Sequence, residues 1–356
     1  MTSVLVLLVG VLGTWLGSIA FLRLPGPVAR PVADRWHEKS TPLTGGLALL
    51  TGFLVALGSA VLAGEADRRF AYFALAAMAA FALGLCDDNR WIGPRTKLAG
   101  QIGIAAAAAT VIRPAWLPAA AAMPLAVFVL VAAMNSFNLL DNIDGLAAGT
   151  AAIAAGSLAV TTLFEGGSAL RLVACAVAGA CLGFLPLNYL RSRPAALFMG
   201  DSGAHLIGLL VGGCALLSTP GGAGGASASV VAPLLILALP ILDTSLVILA
   251  RLAERRPVWQ GGRDHLSHRL VYVGLGEHEA VAALLSLAAA CAATAILVVA
   301  VDDPLATGAA AGALVALLVA VGSRLALVSE TSRIAVLRVR RREEQLEPIQ
   351  EHAHAG

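Results

Sequence analysis

Charge is what this sequence has least of. Only 13% of its 356 residues are Asp, Glu, Lys or Arg, while 58% are hydrophobic. Soluble domains carry roughly 25% charged residues, so a single water-facing core is excluded and the surrounding solvent must be lipid. Aromatic residues are scarce too, at 5%. That excludes an outer-membrane barrel, which needs aromatic girdles and strands of alternating polarity. The apolar mass is Ala, Leu, Val and Gly, a mixture that lets membrane helices pack closely. The five cysteines (Cys86, Cys175, Cys181, Cys214 and Cys291) lie in or at the end of apolar runs without a CxxC pair, and read as small core residues. No Lys or Arg precedes the apolar stretch from Val4 to Leu22. It therefore lacks the basic start of a secretory signal and reads as a retained transmembrane helix.

What the chain does have is apolar segments of bilayer-spanning length, roughly 17–25 residues each. Eleven run over about 2–24, 43–64, 68–85, 97–113, 117–139, 143–164, 168–190, 203–219, 228–250, 278–301 and 304–328. The fourth and eighth are short and rich in glycine or alanine. The expected fold is all-α: a polytopic bundle of about eleven transmembrane helices in a single domain over 1–328, followed by a charged tail over 329–356. Placing the N-terminus outside puts 20 of the 24 basic residues in the odd-numbered loops and the tail; only Arg68, Arg69, Arg113 and Arg171 fall on the other side. By the positive-inside rule the odd loops and the C-terminus face the cytosol. The basic cluster of the tail would lie against anionic headgroups.

The polar residues collect on that same face. Asp87, Asp88, Asp141, Asp144, Asp201, Asp264, His265 and His268 fall in or beside odd loops, and Asn138 and Asn188 at the cytosolic ends of helices. Four constellations result. In CDDNRWIGPRTKLAGQ, the adjacent carboxylates of Asp87 and Asp88 repel each other unless they share a cation or a proton. They could bind a metal, or one could serve as a base, with Lys97 nearby to meet a phosphate; a solvated helix end is the plain alternative. In NSFNLLDNIDGLAAG, a helix running through would align Asn138, Asp141 and Asp144 at i, i+3 spacing. Polar groups at the end of an apolar helix are costly unless paired, although a boundary between two helices would also use some as caps. Asp201, in Gly-Asp-Ser-Gly before an apolar helix, has the look of an N-cap, and its flanking glycines would let a ligand approach the backbone. In GGRDHLSHRL, His265 and His268 between Arg263 and Arg269 make a cationic site suited to a pyrophosphate. Zinc would need a third His or Cys ligand, which the segment lacks.

Other residues carry less. His37 and Lys39 stand in a cytosolic loop, His352 and His354 in the tail, and His205 reads as a packed helix residue. Asp243, inside an apolar helix, calls for a cation such as Arg251. Intramembrane carboxylates also mark transporters, but those sites lie near the midplane on broken helices, often in two related halves. Here the carboxylates gather at one face and no internal repeat is visible.

Together, from HEKSTPLTGGLAL to GGRDHLSHRL, the four constellations resemble the polyprenyl-phosphate N-acetylhexosamine-1-phosphate transferase family. The resemblance implies a bundle of ten or eleven transmembrane helices, usually a homodimer, in the cytoplasmic membrane, with the active site on the cytosolic face. It implies that 1–328 is catalytic, that the partners are a UDP-sugar and a polyprenyl phosphate rather than nucleic acid, and that the cofactor is Mg2+, with Mn2+ as a substitute. It implies roles too. Asp201 and Asn138 would hold the metal, and Asp87 and Asp88 would be the acidic pair near the lipid phosphate. Lys97 would lie near the phosphates, Asp144 and Asn188 near the uracil, and Asp141 in the same cleft. His265 and His268 would shape the phosphate and sugar site, with Arg263 beside them. The implied product is a polyprenyl-pyrophosphoryl sugar, with UMP released. GlcNAc-1-phosphate is favoured as the transferred group, and phospho-MurNAc-pentapeptide is the alternative. Two departures stand out: Asn142 replaces the first glycine of Asp-Gly-x-Asp-Gly, and the His-x-His-His pattern reads His265, Leu266, Ser267, His268.

Overall fold

The computed structural model describes residues 1–24, 26–29, 40–65, 67–114, 117–165, 167–190, 195–218, 226–301 and 303–326. The tail over 329–356 lies outside the described residues, as do His37, Lys39, Arg191 and Arg193.

Among the described residues, nine helices are long and apolar enough to cross a membrane, and a bent pair makes a tenth. The first five helices are α1 (Thr2–Phe21), α2 (Gly45–Leu62), α3 (Arg68–Asp88), α4 (Pro94–Ala109) and α5 (Ala119–Leu140). They are followed by α6 (Leu146–Glu165), α7 (Ser168–Leu185), α8 (Gly200–Leu217), α9 (Ala226–Ile236) and α10 (Ala238–Ala253). A short α11 (Leu266–Tyr272) leads into α12 (Glu277–Val301) and α13 (Pro304–Ala326). A two-residue hairpin, β1 (Val28–Ala29) against β2 (Thr41–Pro42), joins α1 to α2.

Each of the eleven expected segments becomes a helical element, but two are not full single spans. The fourth yields α4, whose 16 residues reach only about 24 Å at 1.5 Å per residue, short of the hydrocarbon thickness. Pro94 starts it, where a missing N–H costs nothing. It stops before the β-branched run Thr110, Val111, Ile112 and Pro114, which disfavour helix at and ahead of them. The ninth becomes α9 and α10, bent by 69°. Pro240 has no N–H for the carbonyl of Ile236, four residues back, and its ring would strike that carbonyl; α9 ends at that residue. Pro186 acts similarly after α7, where the chain widens into a π turn, Pro186–Leu190.

The central element is α8, buried along nearly its whole length. Its neighbours reach it through glycines. A Cβ on Gly46 of α2 would stand 2.5 Å from the Ser202 hydroxyl, and one on Gly84 of α3 would strike the Asp201 and Ser202 backbone. Gly208 of α8 itself lies against the backbone of Ala133 and Met134 in α5. In lipid this closeness supplies the packing that the hydrophobic effect supplies in water. It also draws the ends of α3 and α5 and the start of α8 onto one spot.

Candidate active site

The start of α8 is capped from another helix. Asp88, the last residue of α3, accepts the backbone N–H groups of Asp201 at 2.7 Å and Ser202 at 3.1 Å. A carboxylate there satisfies orphan donors and the positive end of the helix dipole. Gly200 makes room: its φ is +67°, and a Cβ would stand 2.7 Å from an Asp88 carboxylate oxygen. Because Asp88 does the capping, Asp201 does not act as the N-cap that its sequence context suggested.

The Asp201 side chain instead enters a cluster. Its Oδ2 takes a hydrogen bond from Lys97 Nζ at 2.6 Å, and its Oδ1 takes one from Asn138 Nδ2 at 2.8 Å. The same ammonium donates to Asp87 Oδ2 at 2.6 Å and lies 3.4 Å from Asn138 Oδ1. Thus α3, α4, α5 and α8, from distant parts of the sequence, each place a polar side chain on one point, all of them only partly exposed. Three carboxylates, Asp87, Asp88 and Asp201, share one ammonium and the N-terminus of one helix. That leaves an anionic site able to attract a cation, next to a lysine able to meet a phosphate.

A second polar layer lies one turn deeper on the same helices; Gln101 and Asn135 stand in the first two constellations, but the sequence did not connect them to each other or to His205. Gln101 Nε2 donates to His205 Nε2 at 2.8 Å, and Asn135 Nδ2 donates to Gln101 Oε1 at 2.8 Å. Gln101 and His205 are fully buried. The available signal was spacing: Gln101 is four residues after Lys97, Asn135 three before Asn138, and His205 four after Asp201. In lipid such a layer gives polar groups partners on neighbouring helices and holds three helices in register.

The stretch after Asn138 departs from the expected continuous stripe. α5 ends at Leu140, Asp141 is its C-cap, and Gly145 turns the chain at φ +84° before α6. A Cβ on Gly145 would stand 2.6 Å from the Tyr189 ring. Asp144 therefore sits in a turn, not one helical step beyond Asp141. Asn188, in the π turn, holds this turn in place. Its Oδ1 accepts the Gly145 N–H at 2.8 Å, and its Nδ2 donates to the Leu197 carbonyl at 3.1 Å.

The histidine segment between α10 and α12 is tied down from several sides. Asp243 pairs with His265, Nδ1 to Oδ2 at 2.8 Å, and not with Arg251. Arg251, 1% exposed, donates to the Val258 carbonyl at 2.6 Å and to Asp264 at 3.2 Å. Arg256 binds the other Asp264 oxygen at 2.8 Å. Burial raises the Asp264 carboxyl, but the hydrogen bonds from Arg256 and Arg251 outweigh it and hold the group below its usual range. Arg269 grips the carbonyls of Asp264 at 2.9 Å and Leu325 at 3.0 Å. Burial pushes His268 down to about 3, and the neighbouring His265 adds to the effect. His268 is therefore neutral at physiological pH, so the segment is less cationic than its sequence suggests; Arg263 is half-buried in the same loop. The two departures from the family pattern meet: the Ser267 hydroxyl donates to Asn142 Oδ1. That bond joins the histidine segment to the turn carrying Asp141 and Asp144.

A polytopic helix bundle with acidic, amide and lysine side chains at the ends of four apolar helices defines an integral membrane protein with a charged site at one end of the bundle. Comparison with known proteins sharpens this. Residues 70–219 match the model of glycosyl transferase family 4. A decaprenyl-phosphate N-acetylglucosaminephosphotransferase of Mycolicibacterium smegmatis (strain ATCC 700084 / mc(2)155) is 32% identical over 72% of this chain and 71% of its own length. The protein of that description from Mycobacterium tuberculosis (strain ATCC 25618 / H37Rv) is 31% identical, over 70% of each chain. A phospho-N-acetylmuramoyl-pentapeptide-transferase of Nostoc punctiforme (strain ATCC 29133 / PCC 73102) is 36% identical over 59% of this chain and 63% of its own. The chain belongs to the polyprenyl-phosphate N-acetylhexosamine-1-phosphate transferase family.

Proposed function

We propose that this protein transfers GlcNAc-1-phosphate from a UDP-sugar to a polyprenyl phosphate, at the cytosolic face of the cytoplasmic membrane. An oxygen of the lipid phosphate attacks the β-phosphorus of the donor. The bond from that phosphorus to UMP breaks, and UMP leaves with the electron pair. The observation that carries this reading is the meeting of Lys97, Asp87, Asn138 and Asp201 at the ends of four apolar helices. A water-soluble donor and a lipid acceptor can meet only at such an interface.

Both substrates are anionic, and the donor set fits Mg2+. Among the described residues, no three His, Cys, Asp or Glu side chains form a closed cage. Mg2+ does not need one: it takes one or two carboxylates, keeps waters, and completes its shell with substrate phosphates. Asp201 and Asn138 would hold it, and it would supply charge neutralisation and polarisation of the phosphorus. Lys97, already between two carboxylates, would donate to phosphate oxygens. Asp88 has both oxygens on the α8 backbone, so its part is to hold Asp201 in place. Asp87 is the member of the pair open to take a proton. That demand is small, because a phosphate monoester has its second pKa near about 6. Asn188 orders the turn carrying Asp144, and Asp144 would meet the donor together with Asp141, Arg263, His265 and His268.

The test is product formation in nanodiscs holding polyprenyl phosphate. Wild type should release UMP from UDP-GlcNAc, and Asp201→Asn should lose about 10²–10³ of that rate. Full activity in the variant would remove Asp201 from the metal. A donor panel checks the substrate: preference for UDP-MurNAc-pentapeptide over UDP-GlcNAc would move the protein to the other branch of its family.

A further inference from the structure

Asp243 lies inside α10, one turn from its start, with 1% of its surface exposed. A carboxylate buried in an apolar helix persists only when hydrogen-bonded or paired. Both of its oxygens are engaged by adjacent residues of one segment. Oδ2 faces His265 Nδ1 at 2.8 Å, and Oδ1 accepts the Leu266 backbone N–H at 2.7 Å. A carboxylate only accepts, so the proton between them sits on Nδ1, and the ring and the peptide beside it are gripped together. On the far side, Ser267 is fully buried and bonded to Asn142. His265 is therefore held against rotation of its ring and against displacement of its backbone.

We infer that Asp243 is a positioning residue for the transfer reaction: it clamps His265 through Nδ1 and the Leu266 N–H, so that Nε2 is the nitrogen presented to a phosphate oxygen of the donor. The inference rests on the transferase reading given above. Asp243 touches no substrate and acts through the ring, as a carboxylate does behind a histidine whose other nitrogen has work to do.

The experiment combines kinetics in nanodiscs with nitrogen-15 histidine NMR of the full chain. Asp243→Asn keeps the side-chain shape and one acceptor oxygen. It should lower kcat about 10–100-fold, the usual cost of removing such a partner, while the donor KM hardly moves. In the double variant with His265→Asn, kcat should equal that of His265→Asn alone, because both changes break one unit. Losses that multiply, or an unchanged kcat in Asp243→Asn, would overturn the assignment. The wild-type spectrum tests it without any variant: one hydrogen-bonded Nδ1–H resonance, absent in His265→Asn, is expected, and a His265 ring unprotonated at Nδ1 would overturn the clamp. Failure of the wild type to release UMP would instead sink the transferase reading, and the spectrum would still decide the clamp.

Discussion

Around Lys97 the polar side chains bind one another, whereas in the segment between α10 and α12 they also bind backbone. Lys97 holds Asp87 and Asp201, and Asn138 completes the group. Arg251 and Arg269, by contrast, donate to the carbonyls of Val258, Asp264 and Leu325, and Asp243 takes the Leu266 N–H. Bonds between partly exposed side chains can be exchanged for bonds to an ion or a phosphate without disturbing the chain. The bond to the buried Leu266 N–H cannot, because a lost partner leaves an unsatisfied peptide group. The first region is built to be rearranged by ligands, the second to stay as folded. Mutations should separate the two: the first loses chemistry, while the second loses stability, with chemistry following only where a locked bond positions a substrate-facing group, as Asp243 does for His265.

The largest separation is expected at Arg251→Met. The side chain is almost wholly buried, and its removal loses the bond to the Val258 carbonyl and half of the Asp264 pairing. Breaking a buried pair costs about 3–5 kcal/mol, and the lower end applies because Arg256 still holds Asp264. Thermal melting in detergent should fall accordingly, while transfer per folded molecule is largely kept. A full-stability variant would erase the contrast. Asp88→Asn should fall between the two classes, since Asp88 binds backbone yet stands in the cluster. Its amide can accept only one of the two α8 N–H groups. The expected cost is about 1–2 kcal/mol of stability, with activity per folded molecule down about 10-fold or more as Asp201 shifts. Loss of stability alone would make Asp88 a cap and nothing else.

The contrast also separates what the sequence could and could not convey. Convergence of Asp87, Asn138 and Asp201 was legible, because polar residues are costly in lipid and all three stood at the same end of apolar segments. The positions of the helices were legible for the same reason. The shortness of α4 was legible in the length of its segment, whereas the break at Pro240 was visible as a proline but lost under windows of average hydropathy. Partners were not legible. Asp243 had Arg251 eight residues on, two turns along the same helix, yet it meets His265, because the chain folds back after α10. Asp88 gave no hint that it would cap a helix 113 residues away in sequence. Local spacing predicts neighbours within a helix, and these contacts are made between helices.

The smallest effect sharpens the comparison most. Ser267 and Asn142 stand at the two motif positions that the sequence marks as departures from the resembled patterns, and they bind each other. Ser267 is fully buried, while Asn142 is half-buried and keeps a second bond from its Nδ2 to the Leu139 carbonyl at 2.8 Å. Ser267→Ala should therefore cost only about 0.5–1.5 kcal/mol, the net worth of one hydrogen bond. The bond joins the locked segment to the turn carrying Asp144, so the loss should appear as a higher donor KM more than as a lower kcat. Asn142→Ala should act alike and lose the Leu139 bond besides, and the double variant should be no worse than Asn142→Ala alone, because the shared bond is already gone there. Donor KM values measured for the four proteins decide it. If the two effects simply add, the departures are independent, and the locked segment keeps its distance from the turn without that bond.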